Sequence, residues 1–208
     1  RFNATGTTIV SVNLFTGATA NIASLTGVCQ GMDLDVNGNL LVTNEGLGKI
    51  QKINLTTNTV TDLATGLNRP NDVMYESATS LLITEYNLGT IIRYNTITNT
   101  KTNVASGMAN PTDMFREASG NLLVAEGGGG GALSRINLTT GTRTVLATMA
   151  NHPHGIARFD NNHVLVTRHY AGSIMKVNLS TGAATVFASG IGNPVYLVNG
   201  SSDLDVDN

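Results

Sequence analysis

Val12-Asn13-Leu14, Ile53-Asn54-Leu55, Tyr94-Asn95-Thr96, Ile136-Asn137-Leu138 and Val177-Asn178-Leu179 are one turn written five times. Its asparagines step by 41, 41, 42 and 41 residues. The four prolines, Pro70, Pro111, Pro153 and Pro194, keep the same step, and Cys29 takes that place in the first full unit. A third series is apolar: Leu40-Leu41-Val42, Leu81-Leu82-Ile83, Leu122-Leu123-Val124 and Val164-Leu165-Val166. Three series in one register make each unit a supersecondary element that buries its faces only against its neighbours.

Within a unit the pattern is strand after strand. Residues 31–36 alternate in polarity, and Asn37-Gly38 supplies a hairpin turn because both residues tolerate positive φ. Residues 40–43 are continuously apolar, as in a strand covered on both faces. Residues 49–54 alternate again, and the Asn54 turn leads to a fourth strand over 59–64. No stretch has a helical period. Four short strands every 41 residues or so predict an all-β fold, a β-propeller of four-stranded blades.

The ends of the chain set the predicted blade number. Residues 1–27 read as the last two strands of a unit (8–13 and 18–25), and residues 193–208 as the first two (195–198 and 204–206). Paired in one blade they would close the ring and remove its open edge. The expectation is a single domain over 1–208 with five blades. These cover 28–68, 69–109, 110–151, 152–192, and 193–208 joined with 1–27. Because the chain begins at Arg1 and shows no leader pattern, a removed leader or a longer parent protein is expected.

Composition narrows the function. Charged residues are 12% of the 208, about half the usual share, and Thr, Asn, Gly, Ser and Ala fill the gap. A net charge of −2 gives no basic footprint for nucleic acid. The single cysteine, Cys29, excludes an internal disulfide. No apolar run reaches the length of a membrane-spanning helix. The balance suits an extracellular or cell-surface protein.

In a propeller, equivalent inner-strand positions converge on the central channel. One ring is predicted from the loop before the first strand of each unit: Gln30, Asn71, Thr112, His154 and, roughly, Val195. A second, wholly polar ring comes from the ends of the second strands: Asn44, Glu85, Glu126, Arg168 and Asn208. The oxygens of Glu85, Glu126, Asn44 and Asn71 are the type that Mg²⁺ or Ca²⁺ takes. Alternatively the ring is a structural network in which Arg168 neutralises Glu85 or Glu126. Arg168 favours the latter, since a fixed cation repels a metal. His152-Pro153-His154-Gly155 is a histidine cluster, with His163 and His169 in the same unit. His154 is a candidate general base, reaching a carboxylate only through Glu126 of the neighbouring unit. The glycine run 127–131 lacks the Lys-Ser/Thr and helix of a phosphate loop and reads as a flexible hairpin.

Two further series lie on the outside. Lys52, Arg93, Arg135 and Lys176 stand two residues before each repeat asparagine, with Ser11 in the fifth unit. They read as a solvated face, or as a contact with acidic groups such as Asp203, Asp205 and Asp207 of another copy. Sequons for N-glycosylation fall at Asn3, Asn54, Asn137, Asn178 and Asn199, although Asn-Leu-Thr-Thr-Gly is also good turn chemistry.

The units resemble the NHL-like propeller superfamily, nearest in look to virginiamycin B lyase-type and gluconolactonase-type repeats. The resemblance rests on His152-Pro153-His154-Gly155-Ile156, Asn37-Gly38-Asn39-Leu40 and Ile83-Thr84-Glu85-Tyr86-Asn87. It implies a propeller, and for the lyases a catalytic His and Glu in one blade assisted by Mg²⁺. Here the unit with His154 carries Arg168 where that Glu falls. The units with Glu85 and Glu126 carry Asn71 and Thr112 where the His falls, and there is no Trp. The reading that leads is a non-catalytic extracellular module for binding or for surface or filament-type assembly, its partner a protein, a glycan or a second copy of itself. The alternative is a metal-assisted lyase or lactonase at the channel mouth using His154, Glu85 and Glu126.

Overall fold

The computed structural model describes residues 6–197. The expected strands of Leu204–Val206, the ring member Asn208 and the sequons at Asn3 and Asn199 lie outside the described residues. Every regular element among those described is a β-strand. The chain divides into two compact units, Arg1–Gly107 and Met108–Asn208.

The first unit opens with a two-stranded sheet, β1 (Thr7–Val12) and β2 (Thr19–Leu25). A four-stranded sheet follows: β3 (Cys29–Leu34), β4 (Leu40–Asn44), β5 (Lys49–Ile53) and β6 (Val60–Ala64). The next comprises β7 (Pro70–Ser77), β8 (Ser80–Glu85), β9 (Thr90–Asn95) and β10 (Lys101–Ala105). The second unit holds β11 (Pro111–Arg116), β12 (Leu122–Glu126), β13 (Ala132–Ile136) and β14 (Arg143–Thr148), then β15 (Pro153–Arg158), β16 (His163–Arg168), β17 (Ser173–Asn178) and β18 (Ala184–Ser189). Each four-stranded sheet is an antiparallel meander in chain order, the form of a propeller blade.

The repeat asparagine explains why each third strand turns into a fourth. Asn54 Oδ1 accepts the N–H groups of Thr56 and Thr57, both at 2.9 Å. Asn13, Asn95, Asn137 and Asn178 repeat the contact. Four residues after each asparagine the chain must enter the left-handed region, and the residue there is always Gly or Asn: Gly17, Asn58, Asn99, Gly141 and Gly182, with φ between 56° and 73°.

The apolar second strands separate two cores. Successive side chains of a strand point to opposite faces. Leu41 therefore joins Ile50, Val73, Leu81, Ile83 and Tyr94 between the sheets β3–β6 and β7–β10. Its neighbour Val42 joins Ile9, Ala23, Leu25 and Ile53 against β1–β2. In the second unit Leu123, Leu133, Ile156, Val164, Val166 and Val177 fill the space between β11–β14 and β15–β18. This two-sided burial is why the runs 40–42, 81–83 and 122–124 do not alternate.

Hydroxyls fasten one blade to the next. Thr43 Oγ1 donates to the Asn71 carbonyl oxygen, and Thr167 Oγ1 to that of Val195 at 2.8 Å. The equivalent position in the third blade is Ala125. There Thr112, from the first strand, takes over: its hydroxyl lies 3.1–3.2 Å from the carbonyl oxygens of Ala125, Pro153 and His154.

Val195–Leu197 form no strand ladder among the described residues, where a strand was expected over 195–198; residue 198 lies outside them. They nevertheless run past Gly155 so closely that a Cβ there would lie 2.6–2.8 Å from their backbone. Asn71 and Asp72 pass the equivalent Gly31 in the same way. Residues 195–197 thus take the place that a next blade's first strand takes.

Candidate functional site

The polar residues at the second-strand ends are engaged by their own blades and by the loops that lead into them. Asn44, fully buried, donates through Nδ2 to the Thr26 carbonyl at 2.6 Å and to Gln51 Oε1 at 3.0 Å. Its Oδ1 accepts Leu47 N–H at 3.1 Å. Glu85 accepts Asn68 N–H at 2.9 Å and the Thr90 hydroxyl at 3.3 Å, with Lys101 Nζ at 3.9 Å. Glu126, 1% exposed, accepts Ala109 N–H at 2.7 Å, the equivalent contact one repeat later. It also accepts the Ser134 hydroxyl and both arms of the Arg143 guanidinium, at 2.7 and 2.9 Å. The carboxylate at this position is therefore a clasp that holds the incoming loop to the blade.

The expected counter-ion for this ring was Arg168. In the structure Glu126 is neutralised by Arg143, and Arg168 Nε donates to Ser173 Oγ at 3.0 Å. Arg143 comes from the fourth strand, at the repeat-equivalent place of Lys101 beside Glu85.

The first-strand positions are equally occupied. Gln30 Nε2 donates to Glu45 Oε2 at 3.0 Å, and Glu45 also pairs with Arg69. Asn71 is 4% exposed and Thr112 is fully buried. Among the described residues no group of three or more His, Cys, Asp or Glu side chains is arranged to hold a metal ion. Glu126 and Asn44 do not fit a hard cation as they stand, since their oxygens already take protein donors and a guanidinium adjoins Glu126.

The histidine cluster is built by the entry to β15 and the exit from β16. Asn151 and His152 both have positive φ, 71° and 58°, a costly backbone for histidine. It aims the His152 ring at the glycine run, where Nδ1 lies 2.9 Å from the Gly127 carbonyl oxygen. A Cβ at Gly127 would lie 2.4 Å from that ring, so this glycine is there for close approach and not only for flexibility. His154 and His169 have ring centroids 5.7 and 6.0 Å from that of His152, and 6.2 Å from each other. Tyr170 packs on His152 and His169, and Tyr196 stands edge-on to His154 at 4.8 Å. His154 is 6% exposed. Burial, then the neighbouring His152 and His169, push its pKa down to about 3. Burial also lowers that of His152. His154 is thus neutral near pH 7 and a weak base. The sequence singled out His152, His154 and His169 but not Tyr170 or Tyr196, which carry no repeat signal.

The outer basic series is paired within its blades. Arg93 makes a bidentate ion pair with Glu76 at 2.6 and 2.8 Å, and Arg135 with Glu117 at 2.7 and 2.6 Å. Lys176 lies 4.0 Å from Asp160 and over the Phe159 ring. The Asp35 carboxyl is held below its ordinary pKa: burial works against this, but the hydrogen bonds from Asn39 and Asn37, and then the Lys52 charge, together outweigh it. Beside them an acidic series at Asp35, Glu76 and Glu117 keeps the 41-residue step, while in the last blade Phe159 holds that place and Asp160 follows it.

No protein-family model matches this chain, and no curated protein matches it. Solved structures do. Virginiamycin B lyase from Staphylococcus aureus is similar over 93% of this chain and 68% of its own, with a TM-score of 0.70 and 15% identity. A chain of a nidogen/laminin complex is similar over 93% of this chain and 78% of its own, with a TM-score of 0.78 and 15% identity. The calcium-binding protein regucalcin from Agrobacterium tumefaciens is similar over 79% of this chain and 60% of its own, with a TM-score of 0.66 and 20% identity. All are propeller proteins, as the repeat predicts. At these identities the likeness establishes the fold.

Proposed function

We propose that this chain is a non-catalytic, extracellular binding propeller that recognises a protein or glycan partner, a second copy of itself included. One observation carries the reading. The groups that would perform chemistry are used as structure: Glu126 is saturated by Arg143, Ser134 and Ala109, and His154 is a buried, weakly basic imidazole. A general base needs a pKa near the working pH and a path to substrate. The likeness to a chain of a nidogen/laminin complex adds support for a protein partner. The low charge and the sequons on the turns at Asn54, Asn137 and Asn178 support an extracellular setting.

The same reading includes five blades closed by residues 193–208 pairing with β1–β2.

A native mass spectrum of the protein from its own source tests the proposal. The expected result is added mass in hexose-sized increments, a homo-oligomer or a retained macromolecular partner. A bare monomer carrying one tightly held divalent ion would instead support a metal-assisted lyase or lactonase, with Glu85 and Glu126 as the first ligands to replace.

A further inference from the structure

One cavity lies remote from the residues above. It is a cleft of about 590 Å³ between the sheets β11–β14 and β15–β18, at the hairpin end of their first strands. That volume is in the range of small-molecule sites. Glu117 and Arg135 line it as a bidentate pair, and the carboxylate side chain is only 9% exposed. Arg135 also donates to the Leu179 carbonyl at 3.1 Å, which fixes the guanidinium plane. Arg158 and Asp160 form the opposite lip, with Asn161 beside them. Phe115 supplies an apolar floor, the Arg158 guanidinium lying 6.0 Å from its ring centroid.

The charges in this cleft cancel, two guanidinium groups against two carboxylates. An anion or a cation gains nothing overall by entering. What remains is a dense set of fixed donors and acceptors around an apolar floor, which suits a neutral ligand rich in hydroxyl groups with one less polar face. The first unit has a groove at the repeat-equivalent place, where Asp35, Lys52 and Tyr75 replace Glu117, Arg135 and Arg158. Its volume is about 130 Å³, too small for such a ligand. The repeat thus supplies the position in both units, and only the second unit keeps it open.

We infer that the Glu117–Arg135 cleft binds a neutral saccharide through hydroxyl contacts to Glu117, Arg135, Arg158 and Asp160 over Phe115. This rests on the binding reading above and names a ligand class for it.

The test is a titration of the ¹⁵N-labelled protein with methyl glycosides of glucose, galactose, mannose, fucose and N-acetylglucosamine, followed by amide chemical shifts. Inorganic sulfate and spermidine serve as charged comparisons. At least one glycoside should give saturable shifts over residues 117–121 and 160–162, and neither ion should do so. Arg158→Ala, at an exposed position, should weaken that glycoside about 10-fold, the loss of one charge-assisted hydrogen bond, with the unfolding temperature unchanged. The inference is overturned if no glycoside binds saturably, if the shifts fall elsewhere, or if sulfate occupies the cleft. Those outcomes leave the broader binding proposal to its own test, because the mass spectrum detects a protein partner or self-assembly without this cleft.

Discussion

Glu126–Arg143 and Glu117–Arg135 are the same chemical object, a carboxylate held by two arms of a guanidinium at 2.6–2.9 Å. Their surroundings differ. Glu126 is 1% exposed, and its remaining capacity is filled by a backbone N–H and a hydroxyl. Glu117 and Arg135 face a cleft of about 590 Å³. A buried, saturated pair has no way to meet a ligand, and its removal is felt by the fold. A pair beside open space can lose its charge with little effect on folding and still matter for recognition. The space next to a polar pair, more than its geometry, decides what it does.

That contrast can be broken at either end. The largest effect is expected from Glu126→Gln, which leaves Arg143 without its counter-charge and loosens the loop at Ala109. Breaking a buried pair costs about 3 kcal/mol, which for a chain of this size lowers the unfolding temperature by roughly 6–12 °C. Denaturant unfolding with an unchanged m-value is the check.

Next comes pH. The folded-state pKa of His154 lies below its unfolded value of about 6.5, at about 3. Below pH 6.5 the unfolded chain takes up a proton that the folded chain refuses, so stability present at neutral pH is lost as pH falls through this window. The slope from this residue is at most about 1.4 kcal/mol per pH unit. In His154→Leu that part of the slope should vanish, measured as stability against pH in parallel with the parent.

Thr112→Val should cost about 1 kcal/mol, because one hydroxyl serves carbonyls of two blades. Thr112→Val combined with Ala125→Thr should recover part of it, since the hydroxyl then comes from the strand that supplies it at Thr43 and Thr167. A double-mutant cycle with a coupling near zero would show that the two positions do not substitute for each other.

Glu117→Gln should cost less than Glu126→Gln because its pair borders the cleft, but with the carboxylate 9% exposed the loss should still be about 1 kcal/mol. Its effect on the glycoside titration should exceed its effect on unfolding.

Much of this was legible in the repeat. The Asn13 to Asn178 series fixed the turns, because an Asx contact followed by Gly or Asn at positive φ is set by local chemistry. The runs 40–42, 81–83 and 122–124 announced strands buried on both faces. The acidic partners Asp35, Glu76 and Glu117 were in register and readable, but charge pairs are easily taken for solvated surface when one member is read alone. Arg143 was in register with Lys101, six residues after the repeat asparagine, but its partner stands two strands away in the blade; Tyr170 and Tyr196 were not readable, since they meet their partners only through tertiary packing. The cleft was invisible for another reason: equivalent sites differ in volume, about 590 against 130 Å³, and a volume across a blade junction is not written in the repeat.

The most direct test of the clasp at Glu126 is scanning calorimetry of the parent and Glu126→Gln, each with and without Mg²⁺ or Ca²⁺, alongside their metal content. The account predicts a lower unfolding temperature for the variant, the same metal content in both, and no stabilisation of either by the ions. An unchanged unfolding temperature together with loss of a stoichiometric divalent ion would contradict it and make Glu126 a ligand.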